Sequence, residues 1–332
     1  MAGHPVLVTV VFDTYWRFAA DRQALFMGRI SGTPPPWTED PILIAHRFTN
    51  VYRASDRVSQ YLIRNVLYQG VQTGEEIFFR TLLFRLFNRI ETWDALTEQL
   101  GTLTWAAFDF ERYANVLDTL MESGEPIYST AYIVPPPHLG ETRKHRNHLR
   151  LVEHMMKDDA PQRIERAPTL SEVFEVLLSY PSFGSFLSYQ LAIDLNYSAM
   201  IDFSEMDFVA AGPGARDGLR KCFIETGGLS DDQIIRAMAE IAPREFERRG
   251  LPFQTLWGRP LQLIDCQNLF CEIGKYARLA HPEIAGLSKR LRIKQRFVPR
   301  SGGLPQWYPP KWGIEIPQNL AGTLQPALRA VG

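Results

Sequence analysis

Apolar positions recur at helical spacing along most of the chain. Phe12, Trp16, Ala19, Gln23, Phe26 and Ile30 mark a first amphipathic helix, and Val6 to Phe12 can instead open as a strand. The loop Gly32-Thr33-Pro34-Pro35-Pro36-Trp37 ends that helix, and Asp40-Pro41 supplies an N-cap with proline at the first helical position. Between His46 and Arg64 the pattern predicts a two-faced helix. One face carries Phe48, Val51, Tyr52, Val58, Leu62 and Val66, and the other Asn50, Arg53, Arg57, Gln60 and Arg64. Gly70 and Gly74 punctuate before a further helix marked by Ile77, Phe78, Leu82, Leu83, Leu86, Phe87 and Ile90. More helices are expected over residues 111–121, 144–156, 169–178, 186–195, 231–248 and 265–280, with Tyr128 to Val134 as the strand candidate. The predicted class is all-α.

Residues 1–288 read as one helical domain of two packed lobes, divided near 135–165. Residues 289–332 change character. Lys289, Arg290, Arg292, Lys294, Arg296 and Arg300 form a basic cluster, and the prolines at 299, 305, 309, 310, 317 and 326 forbid a continuous helix. This is an extended, basic, proline-rich arm, either wrapping its own core or free, with Trp307, Tyr308 and Trp312 as anchors.

Composition narrows the classes. The chain has 332 residues, 45% of them hydrophobic, and a formal net charge of -1, so any nucleic-acid contact must be made by patches. Cys222, Cys266 and Cys271 form an odd set without a framework, which fits a reducing compartment. Val6 to Phe12 is too short to cross a bilayer and follows no basic stretch, so no membrane contact is expected. The expected location is cytoplasmic, or nuclear in a eukaryote.

Arginines carry the first chemical signal. Arg53 and Arg57 on one predicted helix, and Arg80, Arg85, Asn88 and Arg89 on the next, could grip a phosphate or pyrophosphate from two sides. Solvated faces paired with Glu75, Glu76 and Glu91 account for the same residues. Tyr180 to Tyr189, with Pro181 and Gly184, has the layout of a helix–hairpin–helix, whose amides can hold a DNA backbone phosphate. Gly212, Gly214 and Gly218, with Arg216 beside them, form a second candidate anion nest. Asp265, Asn268 and Glu272 stand at spacings of three and four and share one helix face, with Lys275 and Tyr276 continuing near it. A carboxylate beside an amide can bind an amine or take its proton. An N-cap at Asp265 and a Glu272–Lys275 ion pair are the plainer roles, and Asp194, Asp202 and Asp207 are rival carboxylates. Cys266 and Cys271 read as core thiols, and His138, His145, His148 and His154 as backbone-contacting or solvated side chains rather than metal ligands. No Walker loop, dinucleotide fingerprint or nucleophile elbow occurs.

Several blocks together resemble one family. They are Trp37 to Leu43, Arg47 to Arg53, Asp56 to Ile63, Phe79-Arg80, Phe84 to Asn88, Gly212 to Ala215, and Asp265 to Glu272 with Lys275-Tyr276. In these blocks the chain looks like the alpha-glutamyl/putrescinyl thymine pyrophosphorylases, whose helical domain is also named after 5-hydroxymethyluracil DNA kinases. The resemblance implies a fold related to the helix–hairpin–helix DNA glycosylases and a part in DNA thymine hypermodification. There, an amino acid or polyamine displaces pyrophosphate from pyrophosphoryloxymethyluracil in DNA. On that scheme Arg53, Arg57, Arg80 and Arg85 neutralise the leaving group, and Asp265 or Glu272 holds and deprotonates the amine. Asn268, Asn50, Gln60 and Asn88 contact the extruded base, Tyr52 or Phe84 stacks on it, and Gly184, Gly212, Gly214, Arg216 and Lys275 hold the DNA backbone. The expected partners are modified DNA, an amine co-substrate and a separate 5-hydroxymethyluracil DNA kinase. No cofactor is assigned, and a divalent metal stays open. A base-excision enzyme using Lys275 or Lys221, and a non-catalytic DNA-binding module, are the alternatives.

Overall fold

The computed structural model describes residues 3–298 and 305–320. Arg300 and the prolines at 299 and 326 of the expected arm lie outside the described residues. The described residues are predominantly helical, and they fall into two compact units. One unit takes its described residues from the start through Asp56, from Phe208 through Gln306, and from Pro310 onward. The other runs from Arg57 to Asp207 and includes Trp307 to Pro309. The expected divide near 135–165 is therefore corrected: that stretch lies inside the second unit, whose helices pack across it.

The first unit is organised around α13 (Leu263–Ala280). It packs against α1 (Val10–Ile30), α11 (Pro213–Cys222) and α12 (Asp231–Arg248), and touches the short α2 (Pro41–Ala45). Aromatic rings of α1 and α13 meet directly, Tyr15 lying 4.8 Å from Phe270 between centroids. Leu7–Val8 does form a strand (β1), pairing antiparallel with β2 (Phe223–Glu225). Asp40 caps α2 as its sequence foretold, accepting bonds from the N–H groups of Ile42 and Leu43.

The two-faced helix expected from His46 to Arg64 does not exist. The chain is non-helical from His46 to Tyr52 and makes one 3₁₀ turn at Arg53–Ser55. It then forms α3 (Arg57–Leu62), which widens into a π turn at Ile63–Leu67. Side chains from α1 and α13 claim the backbone groups of residues 49–53, so the helix loses its own hydrogen bonds there. Arm residues reach the same stretch: Arg47 N–H bonds the Gln295 carbonyl and Phe297 N–H bonds the Ala45 carbonyl. Up to that point, the arm wraps its own core.

In the second unit α4 (Gly74–Phe87) is the central element, buried on every side from Glu76 onward. Its neighbours include α7 (Lys144–Lys157), α8 (Ala160–Glu165) and α10 (Ser185–Tyr197). It stops before Ile90 because Asn88 adopts φ 50 as a left-handed cap; α5 (Ile90–Leu100) and α6 (Phe110–Glu122) follow. Tyr128 to Val134 forms no strand. It lies along the end of α4, where Ser129 N–H bonds the Phe87 carbonyl and Asn88 Nδ2 bonds the Ala131 carbonyl. Two histidines expected at the surface are core groups on α7. His148 hydrogen-bonds Tyr128 and the Pro135 carbonyl, and His145 meets Asp118. α9 (Leu170–Leu178) and α10 flank the turn at 179–184.

Candidate functional site

The polar face of α13 is the best-formed chemical feature of the first unit. Asp265, Asn268 and Glu272 point from one face, as their spacing demands, onto the segment Thr49–Arg53. Asp265 Oδ1 accepts Arg53 N–H at 2.9 Å and its Oδ2 accepts Gln262 N–H at 3.0 Å. Asn268 Nδ2 donates to Thr49 Oγ1 at 3.0 Å and to the Asn50 carbonyl at 3.1 Å. Glu272 Oε2 accepts Thr49 N–H at 3.1 Å and the Lys275 ammonium at 2.7 Å. Among the described residues no partner engages its Oε1. Lys275 also stands 4.8 Å above the Phe48 ring.

A buried arginine completes the cluster. Arg22 of α1 donates to the carbonyls of Thr49 and Phe48 and, at 2.7 Å, to Asn50 Oδ1, while one of its terminal nitrogens is buried without a partner. Asp56 accepts Asn50 N–H at 2.8 Å. Burial pulls Arg22 down to about 10 and pushes both Asp56 and Asp265 up to about 6. In each acid the hydrogen bonds from backbone N–H groups and the nearby guanidinium oppose that rise. Three carboxylates, two guanidiniums and an ammonium thus share a protected corner. Neither Arg22 nor Asp56 was singled out from the sequence. The available signal for Arg22 was its place one turn from Phe18, Ala19 and Phe26 on the apolar face of α1.

The remaining candidates divide by unit. Asn50, Tyr52 and Arg53 belong to this cluster. Asn50 Nδ2 bonds the Ser55 carbonyl, and Arg53 is almost wholly buried. Tyr52 is also buried, its hydroxyl donating to the Arg259 carbonyl. In the second unit Arg85 forms a bidentate pair with the fully buried Asp194, at 2.6 and 2.8 Å, and donates to Asn88 Oδ1 at 2.6 Å. Arg80 donates to the carbonyls of Val66 and Val71. Arg57, 41% exposed, lies 3.9 Å from Glu91, and Gln60 accepts Trp307 N–H. Phe84 stacks on Tyr61. Arg80 and Arg85, read from the sequence as half of a phosphate grip, thus hold internal partners.

The glycine candidates differ from one another. Gly184 is exposed at the start of α10. Gly212 caps α11, whose Gly214 and Gly218 face α13. A Cβ at Gly218 would fall 1.9 Å from the Phe270 carbonyl oxygen, and one at Gly214 would lie 3.0 Å from Cys271 Sγ. These two glycines let α11 and α13 cross closely, so the expected nest is instead the first turns of a packed helix. Arg216 faces Asp231 at 3.6 Å. Cys222 and Cys266 are core thiols, pushed up by burial. Among the described residues no cluster of three or more His, Cys, Asp or Glu side chains is arranged for a metal ion, and no helix is long and apolar enough to cross a membrane.

Residues 9–286 match the family model described as 5-hmdU DNA kinase, helical domain. A 5-hmdU DNA kinase of Bacillus phage SP10 is 28% identical over 288 residues, covering 80% of this chain and 45% of the phage protein. The chain thus spans about half the length of that curated relative. No solved structure matches it. The match takes in both the 49–56 segment and the polar face of α13 that grips it, and on that breadth the chain belongs to the family of the helical domain of 5-hmdU DNA kinases.

Proposed function

We propose that this protein acts in DNA thymine hypermodification, as a transferase that replaces the pyrophosphate of 5-pyrophosphoryloxymethyluracil with an amine. Family membership supports the pathway, because the relative is named for a 5-hydroxymethyl-deoxyuridine in DNA. The matched region corresponds to the helical domain, so the kinase activity of the phage protein is not transferred to this chain. The observation that carries the reading is the α13 cluster, where Glu272 keeps one oxygen uncommitted beside Asn268, Lys275 and buried arginines.

In this scheme the amine nitrogen forms a bond to the exocyclic methylene carbon as the carbon–oxygen bond to pyrophosphate breaks. Pyrophosphate leaves with the electron pair, and the proton lost by the amine passes to Glu272. Asp265 is a positioning residue, since both its oxygens hold backbone N–H groups. The helix–turn–helix at α9–α10 is the proposed DNA-backbone contact, as in the glycosylase-type folds that the sequence resembles.

Mass spectrometry of nucleosides tests the scheme. DNA carrying pyrophosphoryloxymethyluracil, treated with protein and a mixture of amines, should gain an amine adduct and release pyrophosphate. Glu272→Gln should reduce that conversion at least ~100-fold while DNA binding persists. Release of free base would instead favour excision. A second reading, a non-catalytic DNA-binding module, draws on the engagement of Asp265 and Asn268 in loop anchoring. It expects no adduct from the wild-type protein and unchanged DNA binding by Glu272→Gln.

A further inference from the structure

The first unit contains a basic cavity outside the α13–loop cluster. Its volume is about 170 Å³, roughly ten times the ~15 Å³ needed to hold a water. Lys221 of α11, Arg278 of α13 and the strap residues Ser288, Lys289 and Arg290 line it. Asp217 N-anchors the strap, accepting Ser288 N–H at 2.7 Å and Ser288 Oγ–H at 3.1 Å. Gly286 brings the strap close enough that a Cβ there would lie 2.4 Å from Asp217 Oδ1 and 2.9 Å from Lys221 Cε.

The cations in this cavity have more donors than acceptors. Lys221 is 3% exposed, and of its three ammonium protons one is met, by the Gly274 carbonyl at 2.9 Å. The Arg278 side chain is 13% exposed and lies 4.0 Å from Asp217. Its Nε is buried without a partner, and one terminal nitrogen reaches the Arg292 carbonyl at 3.3 Å. Asp217, beside the cavity, is already engaged by Ser288, and Glu272 acts on Arg278 only as a weaker charge. Burial lowers both Lys221 and Arg278, the cost that an anion would relieve. Buried donors of this kind are ordinarily satisfied, and four cationic side chains lining one cavity favour an oxyanion strongly.

We infer that this cavity is a binding site for a phosphate-type oxyanion, held by Lys221, Arg278, Ser288 and Arg290. The same chemistry is offered by a DNA backbone phosphate and by free phosphate or pyrophosphate. The inference does not depend on amine transfer, and binding measurements test it apart from that reaction. Calorimetry with inorganic phosphate and with pyrophosphate, and anisotropy with a duplex oligonucleotide over a range of salt, distinguish the sources. A free-anion site requires that Arg278→Gln weaken pyrophosphate binding at least tenfold and that Lys289→Gln/Arg290→Gln, both at exposed positions, weaken it as well. A backbone site requires instead that the double variant lower duplex affinity and make the salt dependence shallower by about one unit per cation removed. Circular dichroism and thermal melting confirm that each variant is folded. If the exposed double variant binds both small anions and duplex as the wild type does, the site is overturned, even where Arg278→Gln proves unstable.

Discussion

Asp265 and Glu272 look interchangeable on a helical wheel, yet their surroundings divide their roles. Asp265 spends both oxygens on backbone N–H groups, so Asp265→Asn turns an amide NH₂ toward one of them. The expected loss is ~1–3 kcal/mol in urea unfolding. Glu272→Gln keeps the Thr49 bond and should cost far less stability while removing the proposed base. Asp56 offers a pH signature. Its folded value of about 6 lies above its unfolded 3.8, so its contribution is fully present below about pH 4 and lost as the pH rises through 6. Asp265 has the same sign. Asp118 and Glu245, held low by their arginine partners, contribute in the opposite sense. The difference in unfolding free energy between wild type and Asp56→Asn, measured from pH 4 to 7, should therefore shift against the wild type as pH rises. A flat difference would remove the burial argument. The facing of Asp265, Asn268 and Glu272 was legible from spacing alone. What they face was not, because residues 49–53 are brought there by a contact more than two hundred positions away.

At the level of elements, α13 is held as closely by glycines as by side chains. Gly218→Ala would place a methyl group against the Phe270 carbonyl, and Gly274→Ala would place one 3.0 Å from Gly218 Cα and N. Each should push α11 off α13 and cost at least ~2–3 kcal/mol, read as a lowered thermal midpoint. In the second unit, Arg85→Ala leaves Asp194 charged and buried, an expected loss of ~3–5 kcal/mol that Arg85→Met/Asp194→Leu should largely restore. Arg57→Ala, at an exposed pair, should change stability by under ~1 kcal/mol. The bounds of α1, α7, α9, α12 and α13 follow their periodicity closely, since each buries one continuous stripe. The striped helix at 46–64 fails because buried side chains offer its backbone better partners than the helix does. Tyr128 to Val134 fails as a strand because it meets the capped end of α4 and no second strand.

The order of segments decides how the whole molecule assembles. The first unit joins α1 and α2 to α11, α12 and α13 across more than a hundred and fifty intervening residues. The helices of the second unit are contiguous from Arg57 to Asp207. A fragment covering 57–207 should therefore fold with a helical circular dichroism spectrum and a cooperative melt. A fragment covering 1–207 should leave the α1 side chains Tyr15 and Trp16 without Phe270 and Phe246 and bind a hydrophobic dye. Loss of cooperativity in the shorter fragment would show that the second unit depends on the first.

Local pattern by itself determined the helical class, most helix positions, the N-cap at Asp40 and the shared face of the α13 polar residues. These depend on interactions within a few turns, which spacing encodes directly. Tertiary structure alone decided which arginines are consumed internally, that Arg22 and Asp56 join the α13 cluster, and that the glycines of α11 serve a helix crossing. Those outcomes turn on desolvation and on partners remote in sequence, and neither leaves a periodic trace along the chain.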